Sequence, residues 1–212
     1  MASSAIIAQG SKLEINTSTA GAKTLTGMTQ ANPAVFTSAA HGLSKGDVVT
    51  LAGIVGMTQL NGVTGVVQYV STNTFVLQGI DSTAMTAYSS GGTATPVAWT
   101  QIANIKTFSG MDGTAAVIDV SNLQSTAKEK LMGLQDEGQF SLELDLDPAD
   151  AGQIALLAAR TAQAKKQFRL TLPTANTATF QGFAKKVSAA GGVDASIKRS
   201  VDIEITGPVT WA

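Results

Sequence analysis

The chain has 212 residues, enough for one large domain or two small ones, and a formal net charge of −1. This near-neutral balance argues against a basic nucleic-acid-binding surface. The absence of cysteine excludes disulfides, thiolate metal sites and cysteine catalysis. Only 14% of the residues are charged, which is low for a free monomer because surface charge keeps proteins soluble. The composition therefore favours a subunit largely covered by copies of itself.

The N-terminal segment shows no targeting signal. Residues Met1–Ala8 lack a basic region and their apolar run is short. The longest apolar stretch, Ile154–Ala159, falls far below a membrane span. We therefore expect no membrane binding and folding in a cytoplasm. The first predicted strand is Lys12–Ile15, and a loop rich in small residues follows it.

Residues 22–94 differ from the rest in composition, because very few of them are charged. Short β-like runs alternate with turns that contain glycine or asparagine, as is typical of a small all-β module. These runs are Ala34–Thr37, Asp47–Ala52, Gly65–Tyr69 and Thr74–Leu77. We predict an inserted small all-β barrel domain at residues 22–94 and a discontinuous main domain at residues 1–21 and 95–212.

The main domain is predicted to be mainly β with one or two flanking helices. Its predicted strands are Trp99–Phe108, Ala115–Val120, Phe140–Leu146, Gln167–Leu172, Ala178–Val187 and Ser196–Ile205. Leucines at positions 123, 131 and 134 fall roughly on one helical face, which predicts a helix over Lys128–Gln135 that ends at Gly138. A second helix is predicted over Pro148–Ala162, with Asp147 as its N-cap and Ile154, Leu157 and Ala158 packed on the sheet.

The central predicted strand alternates without a break. Its apolar residues are Phe140, Leu142, Leu144 and Leu146, and its polar residues are Gln139, Ser141, Glu143 and Asp145. A period of two is typical of a half-buried strand. The last strand repeats the pattern, with Asp202 and Glu204 in its polar phase.

Several segments resemble the major tail tube proteins of long, non-contractile-tailed bacteriophages. Residues 133–144 (GLQDEGQFSLEL) resemble the GLxDxGxxSxEL region of that family. Further matching segments are Asp147–Gln153, Phe168–Leu170, Phe180–Phe183 and Val201–Gly207. The resemblance covers residues 97–212, with Lys12–Ile15 as a detached first strand, and rests on the order and spacing of the segments.

The resemblance implies a β-sandwich or split β-barrel whose copies form hexameric, stacked rings. The implied tube conducts DNA without binding it specifically and sits in the virion tail after assembly in the host cytoplasm. The implied partners are copies of itself, the tape measure protein, and the distal tail and tail terminator proteins. No enzymatic activity and no cofactor are implied.

The predicted insert carries a second resemblance, through Thr29–Val35, His41–Val49, Gly53–Met57 and Asn73–Phe75. It is similar to the first catalytic-cysteine half-domain of ubiquitin-activating enzymes, a module that recurs in phage virion proteins. Ubiquitin chemistry cannot follow without a cysteine. We expect the insert to decorate the outer tube surface.

No catalytic, cofactor-binding or metal site is predicted. His41 has no polar neighbours in sequence, so a structural role in a turn is favoured. Glycine pairs at 91–92 and 191–192 lack phosphate-loop spacing. The lysine pair at 185–186 and Lys198-Arg199 are read as exposed salt-bridging residues, with contacts to neighbouring copies as the alternative.

The carboxylates of Glu143 and Asp145 lie about 6.7 Å apart on a strand, a spacing that a two-carboxylate hydrolase can use. A solvated polar face is the first interpretation and a catalytic pair the last. The second interpretation is an acidic lining of the tube lumen, formed by Glu143, Asp145, Asp202 and Glu204. Lys198 and Arg169 are expected to reduce its negative charge.

The sequence is compatible with three functions. A self-assembling tail tube subunit is favoured. A virion module that binds host surfaces or carbohydrate is the alternative, and an enzyme ranks third. Oligomeric state separates the first two, since an adhesin is monomeric or trimeric.

Overall fold

A computed structural model describes residues 5–212 and shows the predicted mainly-β fold. The strands of this part of the chain form open sheets, so the closed barrel predicted for residues 22–94 is not found. They are β1 Lys12–Thr19, β2 Lys23–Thr24, β3 Gly27–Met28, β4 Val35–Thr37, β5 Val48–Val55, β6 Thr64–Val70, β7 Thr74–Leu77, β8 Ser90–Ile102, β9 Ile105–Gly110, β10 Thr114–Asp119, β11 Lys130–Asp136, β12 Gln139–Asp145, β13 Lys166–Thr171, β14 Thr177–Ala190, β15 Lys198–Ile205 and β16 Thr210–Trp211. The α-helix α1 spans Ala151–Thr161, and a 3-10 turn spans Thr58–Leu60.

The chain forms two compact units. The first comprises the chain up to Gln101 together with Phe168–Thr179 and Thr210–Ala212, and the second comprises Ile102–Gln167 and Phe180–Val209. The predicted insert, residues 22–94, lies wholly within the first unit. Its boundaries remain a prediction.

In the first unit the strands follow the order β3-β4-β7-β6-β5-β8-β1-β13, and β2 pairs with β8. The ring of Phe36 stacks on that of Phe75, with centroids 5.2 Å apart. One buried apolar cluster is built only from residues between Leu25 and Ala94. The four predicted β-like runs correspond to β4, β5, β6 and β7. Each of these strands supplies at least one side chain to the cluster.

In the second unit the strands follow the order β14-β15-β12-β9, and β10 and β11 form a separate pair. The alternation predicted for β12 is confirmed: Phe140, Leu142 and Leu144 are buried. The Phe140 ring centroid lies 5.3 Å from that of Phe180 and 6.0 Å from that of Phe108. One face of β12 is therefore core.

The helix predicted over Lys128–Gln135 is wrong. Residues Lys130–Asp136 form strand β11, which pairs antiparallel with β10. An amphipathic helix needs a surface to cover its apolar stripe, but Leu131 and Leu134 are exposed. Hydrogen bonding to the β-branched strand β10 decided the conformation instead.

The second helix was placed correctly along the chain, but its start and buried face were wrong. It begins at Ala151, and the Asp150 side chain, not that of Asp147, caps it by accepting from the Gln153 N–H. Leu156 and Ala159 are buried, whereas Ile154 is 53% exposed and Leu157 43%.

Polar Gln153 lies on the buried face of α1. Its side chain accepts from the Asp147 N–H at 3.1 Å and donates to the Asp145 carbonyl at 3.0 Å. A buried amide that is hydrogen-bonded in this way is tolerated. An apolar pattern alone cannot reveal such a face.

Candidate functional site

The four acidic residues singled out in sequence lie on one face of β12 and β15. In this ladder Ser141 pairs with Asp202, Glu143 with Ser200, and Gln139 with Glu204. Directly paired residues project to the same side of a sheet, and the opposite side of β12 is core. The structure thus brings Glu143, Asp145, Asp202 and Glu204 together on one polar face.

Three of these carboxylates are paired with lysines. Lys106 Nζ lies 2.9 Å from an Asp145 oxygen, Lys185 Nζ 3.0 Å from Glu204 and Lys186 Nζ 3.8 Å from Asp202. The ion pairs of Lys185 and Lys186 confirm the salt-bridging interpretation of this lysine pair. The polar face is therefore more nearly charge-balanced than acidic.

The Lys106 hydrogen bond holds the pKa of Asp145 below its ordinary value. Partial burial opposes this effect, and the Ser196 hydroxyl and the charges of Lys106 and Lys198 reinforce it. Asp145 therefore remains a carboxylate under ordinary conditions. A general acid needs a raised pKa instead, so this residue is unsuited to that role.

Glu143 differs from the other three carboxylates. It is exposed, and within residues 5–212 no lysine or arginine lies within ion-pair distance of it. It borders a shallow depression of about 310 Å³ lined mainly by the hydroxyl residues Thr107, Ser109, Ser141 and Ser200. The depression is polar and open, without the apolar walls of a substrate pocket.

Arg169 was expected to dilute this acidic field. Its guanidinium instead pairs with Glu14 and Asp47 within the first unit. Lys198 lies opposite Asp145 in the β12–β15 ladder. Of the two expected diluting cations, Lys198 is on the polar face and Arg169 is neutralised by its own partners.

His41 is a structural residue. It is 1% exposed, its Nδ1 accepts from the Leu43 N–H at 3.0 Å, and its ring meets the edge of Phe75. Over residues 5–212 no three His, Cys, Asp or Glu side chains are grouped so as to hold a metal ion.

The pair β10–β11, which we call the ribbon, was predicted only in part: Ala115–Val120 was predicted as a strand and corresponds to β10, but β11 and the pairing were not predicted. Five of its large apolar side chains are between 51% and 93% exposed: Val117, Ile118, Leu131, Met132 and Leu134. It pairs with no other strand of the described chain. The signal that marks it is the β-branched run in β10 followed at short range by a second apolar run.

A family model described as phage tail tube protein matches residues 55–212. The chain belongs to the phage tail tube protein family. Comparison with curated proteins found no matching relative.

Family membership makes this tail tube protein a structural component of the bacteriophage virion tail, not an enzyme. Tail tube proteins associate with copies of themselves and with other tail proteins. Among residues 5–212, no helix has the length and apolar character needed to cross a bilayer.

Proposed function

We propose that this tail tube protein closes into hexameric rings, that the rings stack into a tube, and that DNA passes through the bore during ejection. The observation that carries the proposal is the exposed ribbon. Membership of the tail tube family supplies the partner, because these proteins associate with themselves.

An isolated two-stranded ribbon is at best marginally stable in water. The ribbon here also exposes apolar side chains such as Met132 (71%) and Leu134 (93%). Exposed apolar patches of this kind mark protein–protein contacts. A contact between different surfaces of identical subunits generates a ring when its rotation closes. Covering the ribbon by a neighbouring copy therefore explains both its exposure and its conformation.

The sheet of the second unit also offers a place for extension. Strand β9 stands at the end of the order β14-β15-β12-β9 and pairs with β12 on one side. An unpaired strand edge accepts a strand from another chain through main-chain hydrogen bonds. We propose that such edges join the sheets of neighbouring subunits around a ring.

The polar face of β12 and β15 is proposed to line the bore. Its carboxylates are Glu143, Asp145, Asp202 and Glu204. Because three of them have lysine partners, such a lining offers DNA few unpaired cations. Unpaired lysines and arginines bind DNA phosphates because they displace the counterions condensed on the DNA. A balanced lining therefore lets DNA slide without specific binding.

Residues 22–94 are proposed to be an inserted module on the outer surface of the tube, similar to the small β-barrel module described above. Their shared apolar cluster supports a separate fold. Replacing them with a short Gly/Ser linker should leave tube formation intact. Loss of folding in the remaining chain would show that the module is part of the core.

The proposed partners beyond copies of the same chain are the tape measure, distal tail and tail terminator proteins. Assembly is proposed to occur in the host cytoplasm, before the tail joins the virion. Purified protein should therefore polymerise on concentration or when nucleated by tail components.

Negative-stain electron microscopy and light scattering across a concentration series test the assembly. Wild-type protein should form rings or tubes, and Leu134→Ser should raise the concentration required. Tyr69→Ser, at a 66% exposed residue outside the ribbon, serves as the matched control. A protein that stays monomeric or trimeric at high concentration, even with nucleating tail components, would support the adhesin alternative instead.

A further inference from the structure

A groove beside the C-terminal end of α1 lies in the second unit and shares Glu204 with the polar face. It encloses about 670 Å³ and is lined by Arg160, Thr161, Gln163, Phe183, Lys185 and Glu204, among others. Phe183 is 41% exposed although it lies in β14. An aromatic ring open to solvent on the wall of a groove is typical of a surface that another chain covers.

The groove has positively charged edges. Arg160 is exposed and donates from Nη1 to the Val187 carbonyl at 3.5 Å, and within residues 5–212 its other guanidinium donors remain open to a partner. The Lys185 Nζ forms an ion pair with a carboxylate oxygen of Glu204 at 3.0 Å. Lys165 and Lys166 come a few residues after the end of α1 in the chain, although they do not line the groove. A suitable occupant is therefore apolar with an excess of carboxylates.

The ribbon has this chemistry. The segment that holds both ribbon strands, their connecting loop and their flanks, residues 112–137, contains five carboxylates against two lysines, and the ribbon strands add exposed leucine and methionine side chains. Other exposed apolar segments carry fewer carboxylates: the segment around Ile6 and Ile7 has no charged residue between Ala5 and Ser11, and Val193–Ile197 has only Asp194. Charge complementarity favours the ribbon, since opposite potentials select the partner and its orientation.

We propose that the ribbon of one copy lies in the α1 groove of a neighbouring copy. This proposal rests on the proposed self-assembly and names the two surfaces that meet. The ribbon supplies apolar side chains to Phe183, and its carboxylates face Arg160 and Lys185. The ribbon strands are thereby covered on the side that their own chain leaves exposed.

Cysteine cross-linking tests this contact cleanly because the chain has no cysteine of its own. Two variants, Leu134→Cys in the ribbon and Thr161→Cys in the groove, are mixed, assembled and treated with a short bis-maleimide. A tag on one variant identifies the mixed dimer on a denaturing gel. We expect a mixed-dimer yield at least tenfold above that of Leu134→Cys mixed with Tyr69→Cys.

The charge component has its own control. Arg160→Gln should lower the Leu134–Thr161 cross-link severalfold, whereas Lys45→Gln, at an exposed lysine outside the groove, should not. Met132→Cys replaces Leu134→Cys if the latter prevents assembly. Tubes that form without the cross-link would overturn this contact while leaving the proposed tube intact. Cross-linking of Ile7→Cys, in place of the ribbon, to Thr161→Cys would also overturn it. Failure of wild-type protein to assemble, seen separately by microscopy, would refute both proposals.

Discussion

Arg169 and Asp47 are 122 residues apart in the chain, yet an Nη1–H of Arg169 donates to the Asp47 carboxylate at 2.6 Å. The Nε–H of the same guanidinium donates to Glu14 at 2.7 Å, and the group lies over the Trp99 ring, 4.7 Å from its centroid. Arginine suits this position because its planar fork serves two carboxylates while stacking on an aromatic ring. The cluster ties the turn before β5 to β1 and β13.

Arg169→Ala should destabilise the protein by about 1–3 kcal/mol, because two largely buried carboxylates lose their cation. The loss is smaller than for a fully buried pair, since these side chains remain 14–19% exposed. Arg169→Lys should recover only part of it. Urea denaturation measures the effect, and Lys45→Ala is the exposed control. A change within 0.5 kcal/mol of wild type for Arg169→Ala would refute the structural role.

Gly46→Ala should be more damaging than Gly42→Ala. Both glycines have positive φ, +84° and +63°, so each alanine costs about 1–2 kcal/mol in backbone strain. A Cβ at Gly46 would also collide with the Thr177 side chain, whereas one at Gly42 meets nothing within 4 Å. The collision should add about 1–3 kcal/mol. The double variant Gly46→Ala/Thr177→Ala should recover much of the stability lost through the collision. Equal thermal unfolding temperatures for Gly46→Ala and Gly42→Ala would contradict this prediction.

Leu144→Ala should destabilise by about 2–5 kcal/mol because Leu144 is 0% exposed and its removal leaves a cavity. Ser141→Ala, on the other face of β12, loses two partly exposed hydrogen bonds, one donated to Asp202 and one accepted from Gln139, and should cost about 1 kcal/mol. Denaturant titration of both variants compares the two faces. Equal tolerance at the two positions would mean that the register of β12 is wrong.

Asp145 should titrate below the ordinary aspartate value of about 3.9, because Lys106 holds its pKa down. A lowered folded-state pKa means that the ion pair stabilises the fold above the unfolded pKa. That contribution is lost as the pH falls through the lowered value. Lys106→Met should move the pKa back up, and Ser196→Ala should move it less. Carboxyl ¹³C NMR measures both, and an unchanged pKa in Lys106→Met would refute the assignment.

Glu143→Lys tests the proposed bore lining with the least effect on folding, because Glu143 has no ion pair to lose. Tubes should still form, but the added lysine would bind phosphates and slow DNA ejection. Glu143→Gln is the control that removes charge without adding a cation. Normal ejection kinetics with Glu143→Lys would show that this face does not line the bore.

The strand pattern of this protein was readable from the sequence wherever alternate residues face a core. The β12 leucines and the short runs that became β4 to β7 show this. Such periodicity is local, since each strand records its own buried face. The tail tube resemblance was also readable from the sequence, because it depends on short local segments and on their order and spacing. The shared face of Glu143 and Asp202 also followed from two strands in phase.

Only the tertiary structure decided the conformation of 130–136, the buried face of α1 and the pairing of charges. Leu131 and Leu134 fit a helix by spacing, but pairing with β10 made them part of a strand. Gln153 is buried because main-chain groups near the end of β12 lie within reach of its amide. The ion pairs Asp145–Lys106 and Arg169–Asp47 form only when segments distant in the chain pack together. Partners separated by many residues leave no local periodicity, so their energies enter only when the chain is folded.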